Sequence, residues 1–261
     1  MSGRLETTAD IGDFAASEFS HMRAATIDMN VASVAIGGKA DKDNLDEAFK
    51  PKVVIERVKS AQALSDYGKL LLQLVNETQQ DELRQASNNF VDSFKSVDGN
   101  KLSAAQYEGL GQLVQEIGTL WMEADKADAV KKIVPAAADD VDRLCSLLIK
   151  DFDPTQLNLS QGFEATISNL IVDSAIALKD QNATFENRLI ASEGMKQASQ
   201  ERDHLNQISS QAVATLKQMQ AANAQLKAAL ENDSLSIEDI KSLGREVNSL
   251  KIAAMALSGG K

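Results

Sequence analysis

Three prolines and 14 glycines are spread over 261 residues, too few to cut the chain into short elements. Long uninterrupted helices are therefore expected. Aromatic residues make up only 4% of the chain, with Trp121 the single tryptophan, against a hydrophobic content of 43%. The core must be built from small aliphatic side chains, and no run of alternating β-branched residues is long enough to make a strand. Cys145 is the one cysteine, so no internal disulfide can form. It lies in the apolar run Leu144-Cys145-Ser146-Leu147-Leu148, where a buried and inert thiol is expected. No stretch approaches the ~20 apolar residues of a membrane span. The N-terminus lacks the apolar core of a signal peptide, and a soluble chain is expected.

Basic clusters are missing too. No Lys/Arg group exceeds a pair such as Lys131-Lys132, and the formal charge is −11 with a pI of about 4.7. Nucleic acids need a basic face, so they are set aside as partners. An acidic chain is repelled by anionic lipid unless something else tethers it. The chain carries no P-loop, dinucleotide fingerprint, Gly-x-Ser-x-Gly or paired cysteines. The acidic linker at residues 37–46 lacks the remaining ligands of a calcium loop.

What is present is helical periodicity. Residues 163–230 hold no proline and one glycine, Gly194, and the chain is organised around them as one or two very long helices. Leu205, Ile208, Ala212, Met219, Leu226 and Leu230 recur at gaps of three, four or seven and share one helix face. Ser236 begins a second stripe of Ile240, Leu243, Val247, Leu250, Ala254 and Leu257, which predicts an antiparallel hairpin. Residues 163–178 are apolar on more than one side, so burial by several neighbours is expected, with chain before residue 150 wrapped around them. Asn182-Ala183-Thr184 predicts a kink or break.

Earlier in the chain, a helix from Thr8 to Ile36 should stop at Gly37-Gly38. Pro51 fits the first turn of the next, which should run to Val97 with a bend near Asn76–Asp81. Ser103 and Gln106 suggest a capping box for a fourth helix. Pro135 predicts a kink or a fresh start within residues 125–151. Asp139, Asp140 and Asp142 read as a solvated helix face. The expected fold is all-α: an elongated antiparallel helical bundle over residues 1–180, continuous with a coiled-coil-like αα-hairpin over 181–261, forming one structural unit.

One pattern carries potential chemistry. Glu18-x-x-His21 and Glu201-x-x-His204 place Glu and His on one side of their helices and use both histidines of the chain. Two such motifs plus a Glu from each of two further helices resemble the di-metal carboxylate site of ferritin-like bundles. Glu18, His21, Glu201 and His204 are the candidate metal ligands, with Glu56, Glu108 or Glu116 to supply the rest. The competing reading is a hydrophilic helix face, because Glu and His are common neighbours at this spacing and Gln200, Arg202, Asp203, Asn206 and Gln207 surround His204. On that reading no metal, cofactor or catalytic residue is expected.

Residues 60–75 contain Ala63-Leu64-x-x-Tyr67-x-x-x-Leu71, which resembles a helix of bacterial cell-envelope lipoproteins with a helical-bundle ectodomain. The resemblance implies a periplasmic, membrane-tethered bundle without known catalysis, its leader and lipid anchor removed. The leading expectation is a non-enzymatic structural or interaction module, binding a protein partner or itself through helix faces. The alternatives are the ferritin-like di-metal bundle and a secreted helical toxin or effector acting at membranes. A cytoplasmic or secreted location is the alternative to the envelope.

Overall fold

The computed structural model describes residues 11–75, 80–97 and 123–232. They form six helices: α1 (Ile11–Ala35), α2 (Pro51–Val75), α3 (Gln80–Ser96), α4 (Glu123–Phe152), α5 (Leu159–Lys179) and α6 (Phe185–Glu231). Among these residues there is no strand, and the chain is an all-α bundle. Several expected boundaries are where the residues place them. Gly37-Gly38 follows α1, Pro51 opens α2, and the polar residues 180–184 separate α5 from the 47-residue α6. The helix expected from Lys52 to Val97 is α2 and α3, on either side of residues 76–79. Pro135, expected to mark a kink or a fresh start, opens no new helix: it sits inside α4, a helix of 30 residues. The Ser103 capping box with its helix, and the second arm of the C-terminal hairpin, lie outside the described residues.

The described residues fall into two compact units, each discontinuous in sequence. The first draws on Met1–Ala15, Glu56–Leu148 and Ala214–Lys261, the second on Ala16–Ile55 and Ile149–Val213. In the first unit Leu64, Leu71, Val134, Val141, Leu144, Leu216 and Met219 are buried with the rings of Tyr67, Phe90 and Phe94. Polar side chains tie its helices to one another. The Tyr67 hydroxyl donates to Asn223 Oδ1 at 3.2 Å, and Asn223 Nδ2 donates to the Ala138 carbonyl at 3.0 Å. Gln220 donates to Asp142 and Ser146, and Lys227 to Asp139. Rising positions on α6 meet falling positions on α4, so the two run antiparallel. Asp140 corrects the solvated-face reading: it is buried and paired with Arg143, three residues on.

Cys145 is buried in this unit as expected. Burial pushes its thiol above the ordinary range, and nearby Asp142 adds to the shift. The Tyr67 hydroxyl is raised for the same first reason, with Cys145 contributing.

In the second unit α1 and α5 both run antiparallel to α6. Phe19, Met22, Met29, Phe163, Ile167, Leu170, Leu205 and Ile208 are buried between them. Phe19 stacks on Phe152 with centroids 4.9 Å apart, and Phe49 meets Phe163 edge-on. The polar connection from α1 to α2 is strapped to this core. Asn30 donates to the Leu45 carbonyl and to Glu47, Thr166 of α5 donates to the other Glu47 oxygen, and Arg23 donates to the Phe49 carbonyl and to Asp46. Gly37 takes a positive φ of 77°, which ends α1 at a conformation that side chains resist. Gly38 lies against the Asp173 carboxylate and the Ser33 hydroxyl with no room for a Cβ. Ser33 donates to Asp173 at 2.5 Å, and the Lys39 backbone N–H donates to the same oxygen.

Segment 163–178 is only partly enclosed. Phe163, Ile167, Leu170 and Ala177 are buried, but Val172, Ile176 and Leu178 are exposed. Neighbours therefore cover one side of this helix rather than several.

Two outcomes follow from this packing. Gly38→Ala should cost about 1–3 kcal/mol by overpacking, while Gly162→Ala, whose Cβ would meet Ala48 at an ordinary 3.5 Å, should be neutral or stabilising by up to ~1 kcal/mol. Urea midpoints at constant m decide between them. Alkaline pH should also weaken the fold. Raised folded values for Cys145 and Tyr67 mean their contribution is fully present below the unfolded values of ~8.5 and ~10. It is lost as pH rises above those values, because the unfolded chain sheds its protons first, with a slope of up to ~1.4 kcal/mol per pH unit for each group. Urea unfolding from pH 8 to 10.5 should show this slope, reduced in Cys145→Ala and again in Tyr67→Phe.

Candidate functional site

Both histidines of the chain lie in the second unit. An i, i+3 step puts Glu18 and His21 on one side of α1, and the same step puts Glu201 and His204 on one side of α6. Because these helices are antiparallel, the two motifs cross-pair. His21 Nε2 lies 2.8 Å from Glu201 Oε2, and His204 Nε2 lies 3.0 Å from Glu18 Oε2. A carboxylate can only accept, which assigns the hydrogen of each ring to Nε2. The rings themselves touch edge-to-face, with centroids 4.9 Å apart and planes at 74°.

The surroundings are asymmetric. Phe19 and Met22 on α1 and Ala198, Leu205 and Ile208 on α6 are buried in the same unit as the quartet. Glu18 is buried with them, whereas the two imidazole side chains keep 35% and 32% of their surface in contact with solvent. The cluster is thus a half-open notch with carboxylates at its base and rings at its rim. Beside it, Arg202 bridges to α5 through Glu164 at 3.1 Å and Ser168 at 2.9 Å.

The hydrophilic-face reading of the motifs is corrected by this geometry. Gln200, Asp203, Asn206 and Gln207 do face solvent, but His204 turns from them toward Glu18. The other carboxylates considered for a di-metal centre are not gathered here. Glu56 belongs to the first unit, and Glu108 and Glu116 lie outside the described residues. The two acids of α5 are engaged elsewhere, Glu164 by Arg202 and Asp173 by Ser33. As the side chains stand they close into two pairs, and among the described residues no group of three or more His, Cys, Asp or Glu is placed to hold a metal ion. Cys145 belongs to the first unit and both histidines to the second, so no thiol–imidazole pair is formed within a unit.

A second feature escaped the sequence reading. Val31 and Val34 near the end of α1, Val172, Ile176 and Leu178 near the end of α5, and Phe185 and Leu189 at the start of α6 are all exposed. The Ser33–Asp173 contact sets the end of α1 beside this part of α5, so these side chains lie toward one end of the second unit. Ile176 is 61% and Phe185 84% exposed. The signal available in sequence was two apolar i, i+4 pairs, Val172/Ile176 and Phe185/Leu189, straddling a polar turn. No described helix is long and apolar enough to cross a membrane. No family model, curated protein or solved structure matches the chain.

Each Glu–His contact joins helices about 180 residues apart in sequence and should be energetically coupled. Double-mutant cycles with Glu18→Ala and His204→Ala, and with His21→Ala and Glu201→Ala, should give coupling of about 0.5–1.5 kcal/mol in urea unfolding. Strictly additive effects would show that the cross-pairs do not form.

Proposed function

We propose that the chain is a non-enzymatic interaction module of a bacterial cell envelope, docking a partner protein through helix faces at the α5–α6 turn. The observation that carries this reading is the group of large apolar side chains left in water at one end of the second unit, led by Phe185, Ile176, Val172 and Leu189. Scattered exposed apolar residues are ordinary, but several at one end of a packed unit mark an interaction surface. A partner helix presenting its own apolar stripe would cover them by the usual helix-against-helix mode. The envelope setting rests on the resemblance of residues 60–75. This reading assigns no membrane crossing to the described helices, none of which is long and apolar enough for one.

A photo-crosslinking residue tests the reading. Placed at Phe185 in the full chain and expressed in the native host, it should join one discrete protein partner. The same residue at Lys196, exposed farther along α6, should not. Ile176→Glu with Leu189→Glu should abolish the crosslink while leaving helicity unchanged. Equal capture at both positions, or none, overturns the proposal. Dye release from vesicles by the untethered chain would support the membrane-acting alternative instead.

A further inference from the structure

We propose that the docked partner is a second copy of this chain, packed α5 against α5 and antiparallel about a two-fold axis; this rests on the docking of a protein at the α5–α6 turn. Beside the stripe that faces its own unit, α5 carries another that faces water. Ala165, Asn169, Val172, Ile176 and Lys179 are all exposed and recur at gaps of four, three, four and three. That is the spacing of a coiled-coil seam, the face one helix offers to another.

Charge selects the occupant. A quarter of the chain is charged, with a net −11. Yet from Ala165 to Leu178 the one charged residue is Asp173, which is buried and accepts from Ser33. An unlike partner is commonly steered and aligned by opposite charge, and this seam offers none to pair. A two-fold contact needs the reverse. Each copy meets its own surface, so any charge near the axis faces its like. In a chain with this excess of acid, a seam cleared of charge is what self-pairing requires.

Size sets the direction. The seam grades from Ile176 and Val172 down to Ala165, with Gly162 one step beyond. Run antiparallel with the axis between Leu170 and Ile171, Ile176 of each copy sits on Ala165 of the other, and Val172 sits beside Asn169. The two Asn169 amides then flank the axis, and one polar residue in a seam fixes its register. Run parallel, Lys179 would face Lys179. The antiparallel pairing also covers the ends. Leu157, just before α5, is 88% exposed, and Leu178 and Phe185 are exposed at the other end. With 21 residues, α5 is about 30 Å long. Reversing one copy along that length brings each Leu157 to the α5–α6 turn of the other.

Sedimentation equilibrium of the purified full chain tests this, with Val172→Glu, Val172→Lys and Lys196→Glu as variants. Both positions are exposed, so helicity by circular dichroism should be unchanged in all three. Wild type and Lys196→Glu should pass from one chain to two as concentration rises, and no further. Val172→Glu and Val172→Lys should each weaken self-association by at least about 100-fold, because the axis sets each new charge beside its like. Mixed one to one, the two should recover a dimer, since opposite charges then meet across the axis. Wild type that stays a single chain, or a mixture that does, overturns the proposal. The Phe185 crosslink in the native host separates this from the docking reading itself. A product of two copies of the chain supports both. A product with a different protein overturns the second copy as occupant and leaves the docking reading standing, and no product overturns both.

Discussion

Water cannot satisfy the apolar stripes of these helices, and there are few aromatic rings to help cover them. Lateral contact between long rods is therefore the constraint on which the rest depends. An isolated helix gains little from its own hydrogen bonds in water, and most of its stability comes from the face it buries. In the second unit Met22 and Met29 of α1, Phe163 and Ile167 of α5, and Leu205 and Ile208 of α6 meet that need together. Burying one such side chain is worth about 1.5–3 kcal/mol, so a handful decides that the helices pack. They do not decide the register, since aliphatic stripes slide past one another at modest cost.

Register is set by the polar groups drawn into the same interfaces. Glu18 meets His204 and His21 meets Glu201 only when α1 lies against α6 in one alignment. Asp173 accepts from Ser33 only when α1 stops where Gly37 and Gly38 stop it. A buried carboxylate without its donor costs far more than a misplaced leucine. The connection between α1 and α2 follows the same logic, with Glu47 held from one side by Asn30 and from the other by Thr166.

Much of this was legible in local spacing and some was not. Met22, Met29, Leu205, Ile208, Met219 and Leu226 announce their burial by steps of three and four. Gly37-Gly38 and Asn182–Thr184 announce their breaks by chemistry. Pro135 opens no new helix because its penalty is local, about 3 kcal/mol, while Ile133, Val134, Ala137, Ala138 and Val141 around it are all buried and outweigh it. Ile176 and Leu178 were misread because an apolar pattern does not reveal where a neighbouring helix ends. The Glu-x-x-His motifs were visible as spacing. Their meeting was not, because it depends on the alignment of two helices from opposite ends of the chain.

The second unit joins Ala16–Ile55 to Ile149–Val213, and this ordering matters during synthesis. The ribosome releases α1 long before α5 and α6 exist. At about 5–20 residues per second, the early stripe of Phe19, Met22 and Met29 is without its native cover for on the order of ten seconds. The first third of the chain is thus where a molecular chaperone has the most to shield.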